Sequence, residues 1–216
     1  VDTQKAAVVE NGRRLARGLP AHDVLLWGAR GAGKSALVKS SVGALQAEGH
    51  VIALIEVAGD HLDTLPALFA RIADSDRAFV LFIDDLGFAE GSSAPRMLRS
   101  MLEGGAEARP ANARLYVTAN RRHIVSRDLK EQDDPINPRD VVDDKLALAD
   151  GFGLSLGFHV CDQPTYVAMV EGYARRVGLD LDPQDAVQWA TQRGSRSGRV
   201  AWQYVVELAG RQGRRI

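Results

Sequence analysis

The chain has 216 residues, of which 45% are hydrophobic and 25% are charged, and its formal net charge is −1 at pH 7. This composition is typical of a globular protein, and it excludes overall charge as a reason to expect a nucleic-acid or membrane-surface protein. No apolar run is long enough to cross a bilayer, and Cys161 is the single cysteine, which excludes a disulfide within the chain. We therefore expect a protein of the reducing cytoplasm that has no membrane partner.

The first 160 residues alternate helical patterns with short apolar strands. Helical spacing of apolar residues predicts helices over residues 3–18, 35–48, 62–73 and 92–102. Short apolar runs predict strands over residues 24–27, 51–57, 78–85, 115–120 and 153–158, and the run at 51–57 is rich in β-branched residues. Such alternation is typical of a parallel sheet with helices on both faces, so we expect an α/β domain over residues 1–160.

The pattern changes after residue 160, because no further strand is predicted. Three helical stretches follow, over residues 164–177, 182–193 and 198–211. We therefore expect a small helical domain over residues 161–216.

A glycine-rich loop follows the first predicted strand. Gly28, Gly33, Lys34 and Ser35 stand at the spacing G-x-x-x-x-G-K-[ST], which is the P-loop or Walker A pattern. Glycines let the backbone wrap a phosphate chain closely, and the following helix directs its free N–H groups at the phosphates. Lys34 would reach the β- and γ-phosphates, and the Ser35 hydroxyl would hold Mg²⁺. A chance match is disfavoured, because a strand pattern precedes the loop and a helical pattern follows it.

Two further predicted strands end in polar side chains. Asp84 and Asp85 end one apolar run, which has the Walker B form, and Asn120 ends the next strand. Ligands of doubly wound sheets bind at the carboxyl ends of the strands, where Gly28 also lies. Asp84 would stabilise the Mg²⁺ shell, while Asp85 and Asn120 could polarise and orient the attacking water. The plainer alternatives are two carboxylates that enter a solvated loop and an asparagine that forms a turn.

Arginines cluster where the last predicted helix begins. Arg193, Arg196 and Arg199 lie in a stretch that is rich in glycine and serine. A guanidinium at this place could close over a triphosphate from the helical domain. Alternatively, these arginines face solvent or bind another anion.

Together these features resemble the AAA+ ATPases, with residues 28–35 as Walker A, residues 79–85 as Walker B, Asn120 as sensor 1 and Arg199 as sensor 2. The helical tail resembles their lid domain. The strings at residues 25–31 (LLWGARG), 102–110 (LEGGAEARP) and 118–123 (TANRRH) are similar to a bacterial AAA+ family of uncharacterised role, domain of unknown function 815. That family is related to replication initiators and helicase loaders. The resemblance implies a sheet order of 5-1-4-3-2.

The resemblance also implies a site for ATP and Mg²⁺. Its catalytic residues would be Lys34, Asp85, Asn120 and Arg199, and its Mg²⁺ ligands would be Ser35 and Asp84. The nucleotide would be bound by the loop, the first turn of the next helix and the sensor arginine, namely Gly28, Ala29, Arg30, Gly31, Ala32, Gly33, Lys34, Ser35, Ala36 and Arg199.

Two positions depart from the AAA+ pattern. Asp85 stands where these proteins usually carry glutamate, although initiator-like members share the Asp-Asp pair. Gly151 stands where the resemblance predicts an arginine finger for the neighbouring subunit's nucleotide. Such a finger contributes on the order of 10³–10⁵ in rate. We therefore expect a slow ATPase, unless Lys145, Arg121, Arg122 or a partner's arginine replaces the finger.

Three functions stay open at this point. The first is a Mg²⁺-dependent ATPase that couples ATP binding or hydrolysis to motion between core and lid or to assembly. The second is a nucleotide-sensing switch with negligible hydrolysis, which Gly151 and Asp85 motivate. The third is a small-molecule kinase, which is disfavoured because the helices follow the last strand instead of forming an inserted lid.

Partners other than ATP and ADP rest on analogy. A homo-oligomer is one candidate assembly. Nucleic acid is a candidate partner only by analogy with the loaders, because the basic tail lacks an aromatic stacking pattern. The acidic stretch over residues 128–144 and the five histidines lack metal-ligand spacing, and Cys161 is expected to be a buried apolar residue.

Overall fold

A computed structural model describes residues 2–86, 94–103, 109–120 and 149–216, apart from the side chains of residues 94–96. The chain forms two compact units. The first comprises Val1–Gly28 and Lys34–Phe158, and the second comprises Ala29–Gly33 and His159–Ile216. The predicted domains over residues 1–160 and 161–216 stay a prediction.

The first unit alternates helices with strands. Its elements in chain order are α1 (Asp2–Ala16), β1 (Val24–Gly28), α2 (Lys34–Ala47), β2 (Ile52–Glu56), α3 (Leu65–Ile72), β3 (Ala78–Ile83), α4 (Ala94–Leu102), β4 (Ala113–Asn120) and β5 (Leu154–Phe158). A 3₁₀ turn over Leu62–Thr64 precedes α3, so the helix predicted over residues 62–73 has two parts. The second part carries Pro66 in its first turn, where the missing N–H costs nothing.

The five strands form one parallel sheet in the order β2-β3-β4-β1-β5. This order confirms the predicted 5-1-4-3-2 arrangement. In the register of the central strands, Gly28 of β1 pairs with Asn120 of β4 and with Phe158 of β5. The carboxyl ends of these strands therefore meet at one edge of the sheet.

Alternating residues of β4 face the two sides of the sheet. Its odd-numbered residues, Ala113, Leu115, Val117 and Ala119, belong to a buried cluster that also contains side chains of α3 and α4. Its even-numbered residues point to the opposite side, where the Tyr116 hydroxyl meets Asn11 of α1. Because both sides are covered, β3 is apolar throughout and most of β4 is buried.

The amino end of the sheet is closed by buried polar side chains. The Asn11 amide nitrogen donates to the His22 carbonyl and to the Tyr116 hydroxyl, each at 2.9 Å, and its oxygen accepts the His22 N–H at 2.9 Å. Asp23 Oδ1 accepts the Leu115 N–H at 2.8 Å. We call this group, formed around Asn11 and Asp23, the amino-end cluster.

Asp23 of the amino-end cluster also carries a buried ion pair. Its Oδ2 forms an ion pair with Nη1 of Arg109. The two side chains are only 8% and 16% exposed. Solvent therefore screens this pair weakly.

The second unit contains three helices, α5 (Gln163–Val177), α6 (Pro183–Gln192) and α7 (Gly198–Arg211). Each begins at a polar cap, because Asp162, Asp182 and Ser197 accept backbone N–H groups of the first turn. The helices enclose a core of their own, which includes Tyr166 and Tyr204. The predicted helical character of this part of the chain is confirmed. Across the described residues of both units, no helix has the length and apolar character needed to span a membrane.

Candidate functional site

Two glycines of the glycine-rich loop lie too close to other parts of the chain to carry a side chain. Gly28 has φ 133°, and a Cβ built on it would come within 2.0 Å of the Phe158 carbonyl oxygen. Gly31 has φ 72°, and a Cβ there would lie 2.8 Å from the Ser197 Cβ within the second unit. Both positions therefore require glycine, for conformation and for space.

Lys34 is a buried cation in the first turn of α2. Its side chain is 7% exposed, and its Nζ donates to the Gly28 carbonyl at 3.0 Å. Burial lowers the pKa of Lys34, and the charges of Asp85 and Asp84 oppose that change. The ammonium is therefore held inward at the start of the helix, next to the acidic pair.

Ser35 and Asp84 form the first part of the acidic site. The Ser35 hydroxyl donates to Asp84 Oδ1 at 2.6 Å. A hydroxyl and a carboxylate oxygen are the hard ligands that Mg²⁺ prefers. The structure thus brings together the two residues that the sequence predicts as metal ligands.

Asp85 and Asn120 form the second part. The Asn120 amide donates to Asp85 Oδ1 at 2.6 Å. Asp85 has φ 49°, a left-handed conformation that only a minority of non-glycine residues adopt. This conformation explains why β3 ends at Ile83, two residues before its predicted end.

Thr118 is a site residue that the sequence argument missed. Its hydroxyl donates to Asp84 Oδ1 at 2.6 Å and accepts the Asp85 N–H at 2.8 Å. A signal existed, because Thr118 is the polar residue two positions before Asn120 and therefore shares its side of the strand.

The second unit contains a pocket of about 460 Å³. It is lined by loop residues, by the connection before α5, and by the end of α6 with the turn that follows: Ala29, Arg30, Ala32, Val160, Cys161, Ala190, Thr191, Gly194, Ser195 and Arg196. Cys161 is half-buried and packs against the core of the second unit, so it is less buried than expected. It lies directly before the cap of α5. Burial raises the pKa of the Cys161 thiol, which leaves it mostly protonated at neutral pH.

The arginines of the second unit have different surroundings. Arg193 lies over the Trp189 ring, with its guanidinium carbon 4.2 Å from the ring centre, and Arg196 lines the pocket. Arg199 is exposed in the first turn of α7. Its role as sensor 2 stays a prediction, as does nucleotide contact by Ala36, which is exposed in α2.

Several predicted features lie outside the described residues. These are Arg121, Arg122, Lys145 and the acidic stretch over residues 128–144. Gly151 is described and lies in an exposed turn before β5. Within the described ranges, no three His, Cys, Asp or Glu side chains cluster as a metal site.

Comparison with known proteins identifies a family. A family profile described as "Protein of unknown function (DUF815)" matches residues 1–212. No match was found among curated protein sequences.

Solved structures of low sequence identity share the fold. The Orc1 protein of Aeropyrum pernix in complex with DNA is 16% identical, with a TM-score of 0.67, over 98% of this chain and 60% of that one. The RuvB Holliday junction branch migration motor of Thermotoga maritima is 17% identical, with a TM-score of 0.57, over 94% and 59%. AMPPCP-bound DnaA of Aquifex aeolicus is 13% identical, with a TM-score of 0.55, over 93% and 59%.

The chain spans about 60% of the length of these solved structures. At such identities the similarity shows the fold alone. All three relatives are AAA+ ATPases, so the predicted resemblance is confirmed. The chain belongs to the family described as "Protein of unknown function (DUF815)", and its fold is that of the AAA+ ATPases.

Proposed function

We propose that this protein binds ATP with Mg²⁺ and hydrolyses it slowly. The observation that carries the proposal is the group formed by Lys34, Ser35, Asp84, Asp85 and Asn120. It sets a buried ammonium beside two carboxylates at the carboxyl edge of the sheet. Phosphate binding would use the ammonium, and metal binding would use the Ser35–Asp84 pair.

The roles of these residues follow from their chemistry. Lys34 would bind the phosphates as a charged donor, and the loop from Ala29 to Gly33 would add backbone N–H groups. Mg²⁺, when bound at Ser35 and Asp84, would neutralise charge on the phosphate oxygens. Asp85 would accept a proton from the attacking water, and Asn120 would orient Asp85.

Nucleotide titration of the purified protein tests binding. We expect wild-type protein to bind ATP, and we expect Lys34→Ala to lower that affinity about 10- to 100-fold, since it removes a charge-assisted contact. Lys39→Ala is the matched control, because Lys39 lies on the same helix but pairs with Glu56 in solvent. Equal affinities of wild type and Lys34→Ala would contradict the proposal.

Phosphate release tests turnover. We expect slow release by wild-type protein and release at background level by Asp85→Asn. Wild-type turnover equal to that of Lys34→Ala, with ATP bound, would remove the hydrolysis claim. That result would leave the nucleotide-sensing switch, which Gly151 and the Asn120–Asp85 hydrogen bond favour.

The switch makes a separate prediction about assembly. ATP and ADP would change the population of assembly states or unit arrangements. Size-exclusion chromatography with ATP, with ADP and without nucleotide tests this, and three identical profiles would count against it. DNA binding by this chain is proposed only by analogy with the Orc1 structure in complex with DNA, and electrophoretic mobility shift with and without ATP tests it.

A further inference from the structure

Thr118 sits between the two carboxylates of the candidate site. It lies on β4 and is 1% exposed, yet its side chain is polar. Its Oγ1 is 2.6 Å from Asp84 Oδ1 and 2.8 Å from the Asp85 backbone nitrogen. This buried hydroxyl therefore contacts both residues of the acidic pair, Asp84 through its carboxylate and Asp85 through its backbone.

The direction of both hydrogen bonds is fixed by chemistry. A backbone N–H can only donate, so Thr118 Oγ1 must accept from Asp85. The single hydroxyl hydrogen is then donated to Asp84 Oδ1, because an ionised carboxylate has no proton to donate. The Thr118 hydroxyl therefore has one arrangement and cannot rotate without losing one of its two partners.

Thr118 also forms hydrogen bonds on both sides of Asp85, the residue with the left-handed backbone. Its side-chain oxygen accepts the N–H of Asp85, and its main-chain carbonyl accepts the N–H of Leu86 at 2.8 Å. These two N–H groups flank Asp85, whose φ is 49°. A residue in this sparsely populated conformation persists when the surrounding structure holds it on both sides.

Ser35 and Thr118 share one acceptor but differ in what they can do next. Both hydroxyls reach Asp84 Oδ1 at 2.6 Å. Ser35 is half-buried and is a candidate metal ligand, so its hydroxyl has a second use. Thr118 is fully buried and both of its hydrogen-bonding functions are already used. Of these two hydroxyls, that of Thr118 is the one that can hold the Asp84 carboxylate in the same orientation with and without a bound cation.

We propose that Thr118 is a positioning residue that fixes both carboxylates of the site, Asp84 through its side chain and Asp85 through its backbone. One part of this inference, the coupling of Mg²⁺ to ATP binding, rests on the proposed function. The other part, the hydrogen bond that fixes the Asp85 backbone, applies to the protein without nucleotide.

Three variants separate the hydroxyl from the rest of the side chain. Thr118→Val keeps the shape and removes the hydroxyl, and Thr118→Ser keeps the hydroxyl and removes the methyl group. Tyr116→Phe is the matched control, because it removes a buried hydroxyl two residues earlier on the same side of β4. Tyr116 does not contact either carboxylate through a hydrogen bond.

Amide hydrogen exchange of nucleotide-free protein gives the first readout. We expect the Asp85 amide to exchange about tenfold faster in Thr118→Val, as for a lost hydrogen bond. Thr118→Ser and Tyr116→Phe should keep wild-type protection at Asp85. Wild-type protection in Thr118→Val would overturn the inference. If that variant does not fold, Thr118→Cys takes its place, since a thiol is a weaker hydrogen-bonding group of similar size.

The Mg²⁺ dependence of ATP binding gives the second readout. For wild type, Thr118→Ser and Tyr116→Phe we expect ATP to bind more tightly with Mg²⁺ than with EDTA. For Thr118→Val we expect this ratio to fall about tenfold, while affinity in EDTA stays the same. An unchanged ratio would reject this inference and leave the proposed function intact. Failure of wild-type protein to bind ATP would reject the proposed function and the metal part of this inference, and hydrogen exchange would still decide the hold on Asp85.

Discussion

The two ends of the central strands carry polar clusters of different character. At the amino end, Asn11 and Asp23 bond mainly to backbone groups of His22 and Leu115, which the fold itself sets in place. At the carboxyl end, Asp84 and its neighbours bond mostly to other polar side chains, beside the buried ammonium of Lys34.

The difference separates an end whose polar side chains bond to fixed backbone groups from an end whose polar side chains could bind the ligand of the proposed function. Backbone partners do not move when a ligand arrives, so the amino-end cluster is committed to structure. Side-chain hydroxyls and amides can exchange partners, and a buried cation beside carboxylates favours an incoming anion and a metal ion. Variants at the two ends should therefore separate stability from binding.

The largest expected effect is that of Asp23→Ala on stability. It leaves the Arg109 charge without its carboxylate and the Leu115 N–H without its acceptor. Removing one partner of a buried pair costs about 3–5 kcal/mol of unfolding free energy. Urea denaturation followed by circular dichroism measures this. Asp84→Ala, at the exposed opposite end, removes the acceptor of the buried Thr118 hydroxyl and should cost less, about 1–3 kcal/mol. Equal losses for the two variants would end the distinction between the two clusters.

Next in size is the effect of Lys34→Met on binding. The variant keeps an apolar stem of similar length and removes the buried charge. We expect ATP affinity to fall about 10- to 100-fold, because a charge-assisted contact to phosphate is lost. Stability should not fall, since burying the ammonium carries a desolvation cost. Titration calorimetry and urea denaturation on the same preparation check both parts, and a stability loss as large as that of Asp23→Ala would show that Lys34 is structural.

Asn11→Ala should produce a smaller loss, in stability alone. It removes the partner of the His22 N–H and carbonyl groups and of the Tyr116 hydroxyl. Leaving buried polar groups without partners costs about 1–3 kcal/mol. The measurement is urea denaturation, paired with ATP titration in excess Mg²⁺. Lost ATP binding in a variant of wild-type stability would mean that the amino end acts on the site.

Tyr116→Phe should have the smallest effect near neutral pH, about 1 kcal/mol. Its clearer signature appears in alkali. Burial is the main cause that raises the pKa of Tyr116 to about 12 from its ordinary 10.0. The folded state keeps the phenol proton above pH 10 while the unfolded state releases it. The contribution of Tyr116 to stability is therefore complete below pH 10 and is lost between pH 10 and about 12.

That loss should proceed at about 1.4 kcal/mol per pH unit in wild-type protein. Tyr116→Phe lacks the phenol, so its stability should fall less steeply over the same range. Urea denaturation of both proteins at intervals from pH 9 to 11.5 measures the difference. Parallel curves would show that the buried phenol does not titrate with folding.

Much of the fold could be predicted because its signals are local. Apolar runs marked the strands within a few residues, and helical patterns marked the helices of the second unit. The sheet order needed the resemblance, since periodicity does not say which strands are neighbours. The predicted end of β3 lies two residues too late, because Asp84 and Asp85 directly follow the apolar run in the sequence. Its left-handed backbone depends on contacts with β4.

The site could be predicted where a motif carries the chemistry. Lys34, Ser35, Asp84 and Asn120 all follow from spacing and strand ends. Thr118 could not be assigned in this way, because its role depends on the register that pairs Ile83 with Val117 and so sets Thr118 beside Asp84. A threonine in a strand is ordinary, and only the pairing shows that its hydroxyl has two committed partners.

Gly28 bears on how variants of this family should be interpreted. A side chain at this first glycine of the motif would collide with the Phe158 carbonyl on the edge strand, so substitution would separate β5 from β1. Gly33 has no atom within 4 Å of an added Cβ, so a side chain there meets only the strain of its left-handed backbone, with φ 89°. In a mutational scan that scores abundance and activity separately, substitutions at Gly28 should therefore deplete the protein itself more than those at Gly33. An inactive Gly28 variant found in a genome would therefore report a folding defect, although it falls within a nucleotide-binding motif.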